Sequence, residues 1–500
     1  MLRTQRHQQP GRGRYAARTA NRKVAPRPAR ARRAGSVVVR TGHSLCRCDE
    51  NSRLFRYEHD VKRAFDEIVT VLKQISAIQN DSDFVQRAQR IARDSLGFSL
   101  PEPILEDAWV DRLNMRRLYA WCVFQTYLRF CDEFYKATPT GAAEEFQAFL
   151  QECGIHSMDI TPCADGRLAH LVRYVLRLSP RAVRRKSYAG AMFDVEDSVQ
   201  KWVETELRRY REAVPNPAHE PTRYLKVVAY HFSSGDPTEG CAAHGSDTKK
   251  AAQAGLERLL GFRQAIENSF CCGASIELLL IGVDTDTDAI RIHVPDADGD
   301  MSLERFVDAG ELYDKTLHLS EIEARRTVES AIRNCAERVT DGMARLIAKL
   351  VANNFSQIEY VRTNHGEHYP DIGHAERFIG AGIGFEDIQI RNLMYFAYLN
   401  TVEEGTDDLD VGIKIFTGLN IKHGLPAPIV VRFDYHGIVP GDRERAKQRC
   451  ARVAKALAAR YAELYEKDLL HVLQVARDCD SKNSLDVFAC TIDADEARGH

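Results

Sequence analysis

The chain writes one pattern of strand, helix and hairpin twice. In the first copy the strand Val227-Val228-Ala229-Tyr230-His231 leads through a loop to a helical stretch from Ser246, whose Leu256, Leu259, Leu260 and Ile266 share one face. The buried strand Ile276 to Val283 follows, then Asp284-Thr285-Asp286 and a partner strand from Ile290 to Val294. In the second copy Val430-Val431-Arg432-Phe433 leads to the helix Arg443 to Tyr465, the strand His471-Val472-Leu473-Gln474-Val475, the turn Asp478-Cys479-Asp480 and Leu485 to Phe488. Short apolar strands alternating with helical stripes predict an α/β architecture within an α+β whole, built by internal duplication.

Upstream of the first copy the pattern is helical. Val61, Phe65, Ile68, Val69, Leu72 and Ile75 recur at spacings of three and four, and a second such stretch runs from Ile104 to about Tyr135. Cys122 and Cys131 sit among its aromatics and read as core packing. Ile155 to Thr161 reads as a strand and Leu168 to Leu176 as a helix. From Ser320, a plausible N-cap, a long helix carries Val328, Ile332, Val339, Leu346, Ile347 and Leu350, and Gln357 to Val361 reads as a further strand. The expected organisation is a disordered tail at 1–53, a helical domain at 54–150, a first α/β domain at 151–385 and its degenerate copy at 386–500.

Charge is distributed unevenly. Residues 1–50 hold 13 Lys or Arg against Asp49 and Glu50, a segment charge of +11, whereas the whole chain carries -2. The remaining body is therefore at -13. Rich in Arg, Ala, Gly and Pro and poor in large apolar residues, the tail cannot offset the entropy of ordering itself. On composition alone it fits a nucleic-acid arm, an organellar presequence or a tether to an acidic partner. Apolar runs such as Leu278 to Val283 are far shorter than the ~20 residues of a bilayer span, so no membrane segment is expected. Thirteen cysteines without a repeating spacing, in a chain of 500 residues, point to a reduced compartment rather than a disulfide framework.

Chemistry gathers where strands end. Cys163-Ala164-Asp165-Gly166-Arg167 follows the strand 155–161, His231 closes the next strong strand, and Cys241 lies in the loop after it. In parallel sheets this end collects ligands. Two thiolates and an imidazole with a fourth position open suit catalytic zinc. The bland alternative is two buried cysteines and a loop histidine.

These residues in this order resemble the site of the β-class carbonic anhydrases. The long loop from His231 to Cys241, the run Gly240-Cys241-Ala242-Ala243-His244-Gly245-Ser246, the helical N-terminal domain and the degenerate copy resemble more narrowly the carboxysomal shell carbonic anhydrases, formerly the ε class. The likeness covers nearly everything after residue 55. One departure from the ordinary β class is that nine residues, rather than two, separate His231 from Cys241.

The resemblance implies that Cys163, His231 and Cys241 ligate one Zn2+ per chain, that Asp165 bonds the water on the metal, and that Arg167 orients Asp165. It implies interconversion of CO2 and bicarbonate in the carboxysome, a bacterial microcompartment within the cytoplasm, supplying CO2 to Rubisco. A homodimer or an assembly of dimers is expected. The tail then reads as a tether from residues 1–50 to Rubisco or a shell-organising protein rather than as a nucleic-acid arm. Alternative readings are a zinc hydrolase acting on another small substrate and a non-catalytic carboxysome scaffold.

Further features invite tests. Cys241 and His244 form a Cys-x-x-His pair that competes with His231 for the metal. His365, His368 and His374 are candidate proton carriers. Arg181, Arg184, Arg185 and Lys186 are a candidate regulatory anion site, with ribulose bisphosphate the natural ligand in a carboxysome. Asp284, Asp286 and Asp288, and Asp296, Asp298 and Asp300, lack the glycine and glutamate of a calcium loop and read as solvated hairpin residues. Gly380-Ala381-Gly382-Ile383-Gly384 reads as a loop. The second copy has no Cys-x-Asp-x-Arg, so its expected value is structural.

Overall fold

The computed structural model describes residues 42–137, 142–212, 223–270, 275–335, 338–385, 389–399, 406–481 and 485–492. Nearly all of the expected tail, residues 1–41, lies outside them, as does the side chain of Arg181.

Strands β1 (Ile155–Pro162), β2 (Arg184–Arg185), β3 (Arg223–Phe232), β4 (Ile276–Asp284), β5 (Ile290–Pro295) and β6 (Met301–Asp308) form one sheet in the order β2-β1-β3-β4-β5-β6. Its first four strands run parallel and its last two antiparallel. A second sheet contains β7 (Phe378–Ile383), β8 (Met394–Tyr398), β9 (Ala427–Phe433), β10 (Leu470–Ala476) and β11 (Asp486–Cys490), in the order β11-β10-β9-β7-β8. Taken from its other edge it is β8-β7-β9-β10-β11, parallel until the antiparallel last strand, the same topology as β2-β1-β3-β4-β5. The duplication legible in the sequence is thus a duplication of fold.

Period-two alternation sorts the second sheet's side chains. Phe378, Met394 and Phe396 join Phe65, Ile68, Leu72, Phe124 and Tyr127 from the helices Asn51–Ala77 and Met115–Ala137. Ile379, Ala381, Tyr395 and Ala397 face Phe416, Val453 and Leu457 from the helices Thr406–Leu419 and Asp442–Arg460. The N-terminal helices therefore share a core with one face of the C-terminal sheet.

Several sequence expectations change. The chain is ordered before residue 54: the His43 ring packs 4.9 Å from Tyr313 and 4.7 Å from Phe355, and its Nε2 lies 2.8 Å from Thr316 Oγ1. Gln357 to Val361 is helical, part of Asp341–His365, because Leu346, Leu350, Ile358 and Val361 continue a helical stripe. Ser320 does cap a helix, through reciprocal bonds with Glu323, but that helix is Glu321–Cys335 and Thr340 starts a second one. Leu168 to Leu176 is a 3-10 turn followed by a π turn rather than an α-helix. The glycine-rich run at 380–384 begins within β7, where Gly382, at φ 124°, lies against the carbonyl of Arg432 with no room for a Cβ. The second sheet accordingly starts at residue 378, ahead of the expected 386.

Candidate metal centre

β1 and β3 deliver their C-terminal ends side by side: the Cys163 amide donates to the Ala229 carbonyl, and His231 is next but one on β3. Donor atoms of Cys163, His231 and Cys241 all lie within 4.8 Å of one another, and all three residues are buried. The two sulfurs are 3.9 Å apart. A tetrahedral ion with ~2.3 Å bonds to sulfur places two thiolates ~3.8 Å apart, so the spacing fits zinc. Contact with the Cys241 sulfur, followed by burial, pushes the Cys163 thiol well above its usual range, while the same contact lowers Cys241. Two buried thiols this close resist double ionisation, and a cation between them removes that resistance. His231 Nδ1 is buried without a hydrogen-bond partner among the described residues.

Asp165 sits against this cluster, its Oδ2 at 3.2 Å from His231 Nε2. Arg167, fully buried, donates to it from Nε at 2.9 Å, from a terminal nitrogen at 2.8 Å and from its backbone N–H at 2.9 Å. The guanidinium is held in turn by the carbonyls of Glu239 and of Ile372, the latter at 3.0 Å. Burial alone would raise the Asp165 carboxyl, but Arg167, then His231 and His374, hold it well below the carboxylate range. Asp165 is an ionised acceptor with a fixed orientation.

The other expected site residues separate. His374 Nε2 lies 3.8 Å from Asp165 Oδ2, and its Nδ1 is 3.0 Å from Glu376 Oε1. His365 packs instead against Tyr369, 4.7 Å between ring centres, and His368 is exposed. The competing His244 turns its Nε2 to the Gly190 carbonyl at 3.2 Å. The described side chains of the basic group are committed within the protein. Arg184 donates to Thr205 at 2.7 Å, Arg185 to the Ala169 carbonyl at 2.7 Å and Lys186 to Asp197 at 2.5 Å. An anion there has to compete with those acceptors.

Four carboxylates went unnoticed in the sequence or were placed in solvent. Glu376 Oε1 accepts the Gly166 N–H at 3.1 Å. Asp284 and Asp286 are buried rather than solvated. Asp284 accepts from Ser234 Oγ at 2.7 Å, and Asp286 accepts from Ser233 Oγ at 2.8 Å and from the Gly235 N–H at 2.6 Å. Together they pin the start of the loop that carries Cys241. Asp288, also buried, accepts from Tyr369 at 2.8 Å and lies 2.7 Å from His170 Nε2.

The chain matches three family models end to end: Carboxysome Shell Carbonic Anhydrase, N-terminal, over residues 43–135; the catalytic domain, over 145–374; and the C-terminal domain, over 375–492. It is 53% identical over 481 residues to the carboxysome shell carbonic anhydrase of Prochlorococcus marinus (strain MIT 9313), covering 94% of each chain. It is 46% identical over 464 residues to that of Halothiobacillus neapolitanus, covering 89% of this chain and 90% of the relative.

Proposed function

The chain belongs to the carboxysome shell carbonic anhydrase family, and on that premise we propose that Cys163, His231 and Cys241 hold one zinc ion beside a catalytic Asp165. It is a carbonic anhydrase of the carboxysome, interconverting CO2 and bicarbonate. Zinc, when bound, supplies the Lewis acidity that makes water a nucleophile toward CO2 near neutral pH. Asp165 would accept a hydrogen bond from the attacking water and aim it, and Arg167 keeps the carboxylate ionised and held against His231. His374, between Asp165 and Glu376, carries the released proton outward. In the cell the reaction runs toward CO2 for Rubisco.

The convergence of two thiols, an imidazole and an arginine-bound carboxylate within one buried cluster is the observation that carries this assignment. Zinc quantitation coupled to CO2 hydration tests it, with Cys163→Ser, His231→Ala and Cys241→Ser made singly. Each should lose zinc and activity together; normal zinc in H231A, with loss in His244→Ala, would transfer the ligand role to His244. We assign the basic segment to recruitment by an acidic surface, Rubisco or a shell-organising protein, and the working unit to a dimer. Deleting residues 1–41 should leave hydration intact and abolish salt-sensitive binding to that partner.

A further inference from the structure

One residue of the duplicated half reaches toward the metal cluster through a single turn. After Tyr188, whose carbonyl accepts the Ala164 N–H at 2.8 Å, the backbone turns at Ala189-Gly190-Ala191 with φ of 62° at Gly190 and 60° at Ala191. A left-handed alanine costs about 1–2 kcal/mol, so the surroundings must impose this shape. Two successive amides of the turn diverge: the Ala189 N–H donates to Asp408 Oδ1 at 2.7 Å and the Gly190 N–H to the Cys163 sulfur at 3.3 Å. From the opposite side the His244 ring meets the Gly190 carbonyl, and a Cβ on Gly190 would lie 2.6 Å from His244 Nε2. Asp408 itself is only 9% exposed, and Tyr395 holds its backbone by donating to its carbonyl at 2.9 Å.

We propose that Asp408 is a positioning residue for the metal centre, its carboxylate holding the turn so that the Gly190 N–H points at the Cys163 sulfur. The proposal rests on Cys163 being a metal ligand. An N–H bond to a ligating thiolate draws electron density off the sulfur, which leaves the metal more electropositive and its water more acidic. The Asp408 oxygen accepts the Ala189 N–H at 2.7 Å, and it is this acceptor, rather than its charge, that holds the turn. His244 is the second clamp on the same turn. That gives a role to the histidine whose spacing imitates a ligand.

The test uses the full chain with Co2+ in place of zinc, because sulfur-to-cobalt charge-transfer absorption reports the electron density of the thiolates. Asp408→Ala should move that band to longer wavelength, weaken metal affinity about 10-fold, within the range for lost outer partners, and shift the hydration pH profile upward. Asp408→Asn, which keeps an acceptor oxygen, should stay close to wild type. Should D408A fail to fold, His244→Ala releases the turn from its other side and should move the band in the same direction. A folded D408A with the wild-type band and affinity, a D408N shifted as far as D408A, or an H244A with no shift where D408A does not fold would each overturn the proposal. Absence of any charge-transfer band in the wild-type protein would instead overturn the metal-site assignment beneath it.

Discussion

Arg167 is a cation with no exposed surface whose donors are divided between one carboxylate and the backbone of distant segments. Removing such a partner strands a buried charge, at about 3–5 kcal/mol, so Asp165 and Arg167 are a unit of stability. The two residues bordering the cluster titrate with opposite signs. The Asp165 carboxyl lies well below its usual 3.8, so its contribution stands above that value and is lost only as pH falls through the lower one. Burial lowers the His374 ring, but Asp165 and then Glu376 outweigh it and raise the ring from 6.5 to about 9. Its contribution in the metal-free protein is complete below pH 6.5 and lost as pH rises through about 9. Chelator-stripped wild type and His374→Gln should therefore differ most in denaturant midpoint below pH 6.5, the difference closing near pH 9. A gap that stays constant across that range would show the ring is not ionised in the folded state.

Among the elements, the hairpin β4–β5 does more than pair strands. Its Asp284 and Asp286 take hydrogen bonds from Ser233, Ser234 and Gly235, fixing the first turn of a loop that must return Cys241 to within 3.9 Å of Cys163. Asp286→Ala should loosen zinc about 10-fold, read by competition with a chelating dye, while the strands stay intact by far-UV circular dichroism. Unchanged affinity would mean the loop holds its shape without that anchor. The clustering of Cys163, His231 and Cys241 was legible beforehand because strand ends and donor types are local features. Aspartates at every second position were read as solvated, since nothing local says that a loop 50 residues earlier will cover them. The same limit misread Gln357 to Val361 as a strand, five residues whose β-rich composition outweighed a helical stripe running through 25. It also hid β7, where glycines that usually signal a loop are required by a carbonyl packed against the strand.

For the whole molecule, the duplicated sheet serves as a wall of the first site. From β8 the Phe396 and Tyr398 amides donate to the carbonyls of Ala164 and Ser187, both at 2.9 Å, and Asn392 donates to Gly166 at 2.8 Å. The segment bearing Asp165 is thus hydrogen-bonded by the second half along its length, while the N-terminal helices bury Phe65, Phe124 and Tyr127 against that half's other face. Each such aromatic contributes about 1.5–3 kcal/mol by leaving water. A chain ending at residue 374, where the catalytic family model ends, would keep Cys163, His231 and Cys241 yet expose both the helical layer and the backbone acceptors at 164, 166 and 187. It should aggregate and fail to retain zinc, and a co-expressed fragment 375–500 should restore a soluble, zinc-containing complex by rebuilding both contacts. If the 1–374 chain were instead monodisperse and hydrated CO2 at the full-length rate, the copy would be dispensable to the site, and the reason for its retention would lie on its outer surface.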